Sequence, residues 1–77
     1  MERSDIEFNL NSVKEQCNID CNKIQVIVDW FFNNNYTFDN SNFPTPLMKV
    51  LGDEFDLGDS QSMGMTTILM YEDLLRN

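Results

Sequence analysis

Apolar residues recur every three or four positions in the middle of the chain, and this spacing predicts an α-helix over residues 21–33. Four of them share one helical face: Ile24, Ile27, Val28 and Phe31. Asp20 stands where a helix N-cap is expected, and the Asn run at 33–35 favours a stop because Asn tolerates the left-handed conformation that ends helices. Apolar residues also lie on other sides of this cylinder, Trp30 among them, so we expect two packing surfaces.

A second stretch with the same periodicity predicts a helix that starts near Thr45 and stops at Gly58. Its apolar face consists of Leu47, Val50, Leu51 and Phe55. Thr45 can act as the cap, and Pro46 suits the first helical position because its missing N–H is not needed there. Gly58 is a natural stop because glycine adopts the left-handed conformation without strain.

The N-terminal part of the chain has a different pattern. Ile6, Phe8 and Leu10 alternate with polar residues, which predicts a loosely held arm or a short extended piece over residues 1–10. Ser12 and Glu15 have the spacing of a capping box, so a short helix is expected to begin there. The turn residues that follow, 18–20, would interrupt it.

The C-terminal part divides into two pieces. Residues 59–67 are rich in hydroxyl side chains and include Gly64, which is typical of a linker. Residues 68–77 are apolar again, and either pack as a fourth helix or hang free as a binding peptide. The sequence therefore predicts an all-α, small irregular three- to four-helix domain: a body over 1–58 with a mobile N-terminal arm, a linker over 59–67 and a C-terminal binding tail over 68–77.

Composition narrows the choice of partners. The 77 residues include 13 carboxylates and five basic residues, for a net charge of −8. Nucleic-acid binding needs clustered Lys and Arg, whereas the basic residues here are scattered, so we expect no direct nucleic-acid contact. Acidic surface favours basic protein partners, imitates a phosphate backbone, or simply keeps the chain soluble. No apolar run is long enough for a signal peptide or a membrane span, so we expect a cytoplasmic protein with no membrane contact.

Candidate catalytic chemistry is sparse. The chain has no His, and the adjacent acids Asp53-Glu54 and Glu72-Asp73 point to different sides of a helix. Cys17 and Cys21 are four residues apart, which matches neither a redox motif nor a complete zinc site. We expect no enzymatic activity, no cofactor and no metal.

Two segments have the character of binding surface. Six of the nine aromatic residues fall between positions 30 and 43, several of them in a polar loop over 36–43, and we expect these rings to be divided between core and interface. Trp30 is the ring most expected to contact a partner because it lies off the apolar helix face. The second segment, Tyr71 to Leu75, combines apolar anchors with two acids, as in short peptides that insert into a pocket with a basic rim. The alternative for this segment is an ordinary terminal helix that closes the core.

Four features occur in order between residues 12 and 75. They are a short helix and turn at 13–20, a helix ending in Trp30-Phe31-Phe32-Asn33, the Asn42-Phe43-Pro44-Thr45 entry to a helix with Leu47-Met48-Lys49-Val50-Leu51, and the terminal Tyr71-Glu72-Asp73-Leu74-Leu75. In order and joint spacing they resemble the small late-transcription coactivators of T-even-type bacteriophages, which bridge host RNA polymerase and the phage sliding clamp.

The resemblance implies a function in late gene expression and two protein contacts. The helical body would grip the flap of the polymerase β subunit through Trp30, Phe31, Phe43, Leu47 and Val50. The tail would bind the sliding clamp through Tyr71, Glu72, Asp73, Leu74 and Leu75. The protein would be a monomer in the host cytoplasm, with a phage sigma factor as a further member of the complex.

Two other interpretations stay open. The chain fits an acidic phage inhibitor or nucleic-acid mimic that blocks a host enzyme such as RNA polymerase or a defence nuclease, with Asp53, Glu54, Asp56 and Asp59 as the charges concerned. Residues 12–32 also have the outline of a degenerate helix-turn-helix, but a recognition helix with Lys23 as its single basic residue would be repelled by phosphates.

Overall fold

The computed structural model describes residues 2–38 and 43–76, and these form four α-helices with no strand among them. The helices are α1 (Arg3–Gln16), α2 (Cys21–Asn33), α3 (Thr45–Phe55) and α4 (Asp59–Arg76). The prediction of an all-α domain with three to four helices is confirmed. Residues 39–42 of the predicted loop lie outside the described residues.

Helix α4 is the central element of the fold. It packs against all three other helices, most extensively against α1. The three side chains Met65, Ile68 and Leu69 on its inner face are fully buried. They join a single core whose other members are Leu10, Ile19, Ile24, Ile27, Val28, Phe31, Leu47, Leu51 and Leu57.

The predicted boundaries of α2 are confirmed. The Asp20 side chain caps the helix, because its Oδ2 accepts a hydrogen bond from the backbone N–H of Asn22 at 3.0 Å. The helix ends at Asn33, and two residues later Asn35 adopts the left-handed conformation with φ of 60°.

The predicted boundaries of α3 need correction. Thr45 is already inside the helix, and the cap position is held by Pro44 without a side-chain hydrogen bond. Pro46 does lie in the first turn, where its missing N–H is not needed. The helix stops at Phe55, before Gly58, because Asp56 takes the left-handed conformation with φ of 55°.

The prediction of an extended arm over residues 1–10 is wrong from Arg3 onward, where α1 begins. Ile6 and Leu10 alternate with polar residues, but they are also four apart and therefore share one helix face. That face is buried against the core, whereas Phe8 between them is 73% exposed. Ser12 lies inside α1, so the predicted helix start at the capping box is also wrong.

The prediction of a linker over residues 59–67 is wrong as well, because these residues form the first half of α4. Ser62, Met65 and Thr66 are buried there. The small residues that suggest a linker allow close helix packing instead: a Cβ at Gly64 would lie 2.9 Å from the Cβ of Cys17 at the end of α1. Of the two interpretations of residues 68–77, the structure has the packed fourth helix for residues 68–76, and Asn77 lies outside the described residues.

Candidate protein-binding surface

An aromatic cluster surrounds the C-terminal end of α2. Its centre is Phe31, which is completely buried. The ring centroid of Phe31 lies 5.0 Å from that of Phe32, 5.5 Å from Tyr36 and 5.1 Å from Phe38. These separations are those of favourable aromatic pairs, so Phe31 holds the end of α2 and the following residues together. The outer rings of the cluster remain half-buried.

Trp30 lies at the solvent side of this cluster, where two other elements supply its neighbours. Its ring centroid is 4.8 Å from Tyr36, which follows α2, and 5.1 Å from Phe55, the last residue of α3, in an edge-on arrangement. Val26, one turn earlier on α2, is 58% exposed and lies on the same helix face as Trp30. We call Val26, Trp30, Tyr36 and Phe55 the Trp30 patch.

Three carboxylates are chain neighbours of rings in the Trp30 patch. Asp29 directly precedes Trp30, and Glu54 and Asp56 stand on either side of Phe55; all three are exposed. Asp29 Oδ1 accepts a hydrogen bond of 2.9 Å from Gln25 Nε2, which holds this carboxylate beside the patch. The patch is therefore an apolar surface with an acidic border.

A cation is already stacked on another part of the aromatic cluster. The guanidinium carbon of Arg76 lies 4.0 Å from the ring centroid of Phe32. This is a cation–π contact, and it ties the end of α4 to the end of α2.

The residues predicted to bind polymerase divide into two groups. Trp30, Phe43 and Val50 are half-buried, and Phe43 joins the cluster through an edge-on contact with Phe38 at 5.5 Å. Phe31 and Leu47 are 0% and 2% exposed, so in this conformation they belong to the core. A partner would touch them only after the helices had opened.

The residues predicted to bind the clamp lie on the last two turns of α4. Leu74 is 51% exposed, and the other four of the set, Tyr71, Glu72, Asp73 and Leu75, are half-buried. Contacts with α1 and α2 help to hold this part of the helix in place. Glu72 Oε1 lies 3.7 Å from Lys14 Nζ, the Leu75 carbonyl accepts a 3.1 Å hydrogen bond from Arg3 Nη1, and Arg76 stacks on Phe32.

An exposed apolar stripe runs along the outer face of α4. Met63, Met70 and Leu74 are 61%, 40% and 51% exposed, and their spacing of seven and four residues places them on one side of the helix. Met63 was not predicted because residues 59–67 were expected to form a linker, and Met70 was not predicted because only Tyr71 to Leu75 were singled out in the last segment. The spacing itself was the signal that could have found this stripe.

An open cavity of about 400 Å³ lies between α3 and the start of α4. Its lining is mixed, with the apolar side chains of Met48 and Leu57 beside Lys49, Asp53 and Asp59. Among residues 2–38 and 43–76, no group of three or more His, Cys, Asp or Glu is placed to hold a metal ion.

Comparison of the chain with protein-family models, with curated proteins and with solved structures gave no match. Within the described ranges, none of the four helices is both long enough and apolar enough to cross a membrane.

Proposed function

We propose that this protein is a phage-type transcription coactivator that bridges the β flap of host RNA polymerase and the sliding clamp. It acts in the host cytoplasm through protein contacts, without catalysis and without binding DNA itself. The observation that best supports this proposal is the Trp30 patch, an aromatic surface left half-exposed beside a completed core. Trp and Tyr on such surfaces are the residues from which binding hot spots are built.

The polymerase contact is assigned to the Trp30 patch together with Phe43. Trp30 and Phe43 are half-buried and lie on the same aromatic cluster, so both can touch a partner without unfolding. Burying an apolar side chain that is already half-covered contributes about half of the roughly 1.5–3 kcal/mol of complete burial. Several such rings are therefore needed, and the patch provides them side by side.

The clamp contact is assigned to the exposed side of α4 around Leu74. Leu74 and Met70 are exposed on one face, whereas Tyr71 and Leu75 are half-buried against the rest of the molecule. In this conformation the clamp therefore meets a helix face, with Leu74 as its main anchor. The two assigned surfaces involve different residues of different helices, as a bridging protein requires.

The test uses full-length protein and two separate captures, one with a β-flap fragment and one with the sliding clamp. Val26→Ser should weaken flap capture and leave clamp capture unchanged, while Leu74→Ser should do the reverse. Phe8→Ser is the matched control, since it also removes an exposed apolar side chain but lies on the outer face of α1. Deletion of residues 68–77 is unsuitable because it would remove the buried Ile68 and Leu69.

The proposal fails if neither target is captured by the unaltered protein. It also fails if Val26→Ser and Leu74→Ser bind both targets as well as Phe8→Ser does. Far-ultraviolet circular dichroism of each variant shows whether the helices are intact, so that a loss of binding is not confused with unfolding.

An acidic inhibitor is the second candidate, favoured by four exposed carboxylates near the end of α3: Asp53, Glu54, Asp56 and Asp59. An inhibitor that imitates a phosphate backbone depends on these charges and not on the apolar surface. Neutralising all four would abolish its binding to a basic channel, whereas Val26→Ser would have no effect. The coactivator is expected to respond strongly to Val26→Ser.

A further inference from the structure

We propose that the occupant of the Trp30 patch is a cationic amphipathic segment of another protein, with apolar anchors that cover the rings and Lys or Arg side chains that meet Asp29, Glu54 and Asp56. This inference rests on the proposed function only in treating the patch as a protein-binding surface. It adds the chemical character of the segment that binds there, which the proposed function leaves open.

The Trp30 patch offers exposed apolar surface to a partner. Val26 is 58% exposed and the three rings are half-buried, although the core of the described chain is filled by other side chains. The rings are already packed against one another, with Trp30 4.8 Å from Tyr36 and 5.1 Å from Phe55. A partner therefore meets a preformed surface and does not have to order it, which reduces the cost of binding.

The three carboxylates are placed to meet basic side chains of the same partner. Each is the immediate chain neighbour of a patch ring, with Cα atoms about 3.8 Å apart. Because adjacent side chains on a helix point to different sides, Asp29 and Glu54 lie at the edge of the patch and not over its rings. Asp29 is also held in place by its hydrogen bond from Gln25. A basic side chain that flanks an apolar anchor would reach these carboxylates at the border of the interface, where charge mainly sets partner choice and association rate.

Local basic residues do not already neutralise this border. Lys23 lies about two helical turns, roughly 10 Å, before Trp30 on α2, and Lys49 is six residues before Phe55 on α3. Arg76 is stacked on Phe32. In the described part of the chain, none of the three border carboxylates takes part in an ion pair.

The same charges argue against a second copy of this chain as the occupant. Two copies joined through the patch would bring two acidic borders together, each on a chain of net charge −8. Like charges at about 4 Å repel by roughly 1 kcal/mol per pair even in water. The acidic border that attracts a cationic segment therefore opposes self-association through the patch.

Trp30 itself provides the measurement, because it is the single tryptophan of the chain. Three synthetic amphipathic peptides share the same apolar face and differ in the residues that flank it, which are Lys, Gln or Glu. Each peptide is titrated into the full-length protein while Trp30 fluorescence is recorded. At about 20 mM salt we expect the Lys peptide to bind about tenfold more tightly than the Gln peptide, and the Glu peptide to bind more weakly still. At about 500 mM salt the three affinities should converge, since exposed charges are then screened.

A matched pair of triple variants tests whether the preference for the Lys peptide depends on the three carboxylates beside the patch. Asp29→Asn, Glu54→Gln and Asp56→Asn together should weaken the Lys peptide about fivefold or more at low salt. These changes are conservative, since an Asn at position 29 still accepts from Gln25 and an Asn at position 56 tolerates the left-handed conformation. The control instead removes three exposed carboxylates from the N-cap and body of α1, by Glu2→Gln, Asp5→Asn and Glu15→Gln, and should stay within about twofold of the unaltered protein.

The inference is overturned if the Lys peptide does not bind, if the three peptides bind alike, or if both triple variants weaken the Lys peptide equally. It is also overturned if sedimentation shows a dimer whose formation shifts Trp30 fluorescence, because the occupant is then a second copy. Flap capture, measured in parallel, separates this inference from the proposed function. If the protein prefers the Lys peptide but does not capture the flap, only the coactivator proposal is contradicted. If flap capture weakens equally in both triple variants, only the inference of a cationic partner is contradicted.

Discussion

Gly64 sets the distance between the two helices that pack most extensively. A Cβ placed on Gly64 would lie 2.9 Å from the Cβ and 3.7 Å from the Cα of Cys17. The first separation is shorter than carbon atoms tolerate, and the obstacle is the stem of a side chain at the end of α1. Glycine costs roughly 1 kcal/mol relative to alanine inside a helix, and here that cost is offset by the close approach of α1 and α4.

We expect Gly64→Ala to lower the free energy of unfolding by about 1–3 kcal/mol, because overpacking outweighs the gain in helix propensity. Gly52→Ala in α3 is the matched control. Its added Cβ would lie 3.4 Å from the Leu57 carbonyl oxygen and 3.7 Å from Ser62 Oγ, which are ordinary contacts. Gly52→Ala should therefore be neutral or stabilising by up to about 1 kcal/mol.

Urea unfolding followed by circular dichroism measures both changes. The contact at Gly64 is isolated by adding Cys17→Gly, which removes the atom that the new Cβ would meet. The double variant should lose less stability than the sum of the two single variants. Strict additivity would mean that the Gly64–Cys17 contact is not the cause.

At the scale of whole elements, α4 has one face that stabilises the fold and another that is available for binding. Leu69→Ala on the buried face should lower the free energy of unfolding by about 2–5 kcal/mol, since it leaves a cavity in a core that is small to begin with. Leu74→Ala on the exposed face should change it by no more than about 0.5–1 kcal/mol. Similar losses for the two variants in urea unfolding would contradict this division of the helix.

The elements differ in how far the sequence could predict them. Helix α2 was predictable because its apolar spacing, its Asp20 cap and its Asn stop all agree. Helix α1 was not, because Ile6 and Leu10 satisfy both a two-residue and a four-residue repeat. The first half of α4 has linker-like composition, and its helical state depends on tertiary contacts such as the close approach at Gly64.

The candidate surface was predictable only in part for a similar reason. Trp30 could be singled out because it lies off the apolar face of α2. Its neighbours Tyr36 and Phe55 come from other elements, and no local pattern brings them together. Phe31 and Leu47, by contrast, have the periodicity of core residues, and the structure buries both.

At the scale of the whole molecule, charge opposes the compact state. The radius of gyration is 11.7 Å, close to the roughly 11.5 Å expected for a compact chain of this length. The chain carries thirteen carboxylates and only five basic residues to balance them. Within residues 2–38 and 43–76, ion pairs join Arg3 to Glu7 and Lys14 to Glu72, which leaves most carboxylates without a cationic partner.

Added salt should therefore stabilise this protein. Raising NaCl from about 10 mM to about 300 mM shortens the screening length from about 30 Å to well under 10 Å, so repulsion between carboxylates on different helices falls. We expect a gain of about 1 kcal/mol, which for a domain of this size corresponds to a rise in Tm of about 4–8 °C by thermal unfolding. The variant with Glu2→Gln, Asp5→Asn and Glu15→Gln has three fewer carboxylates and should gain less. A Tm that falls with NaCl, or an equal rise in the two proteins, would show that self-repulsion is not the dominant electrostatic term.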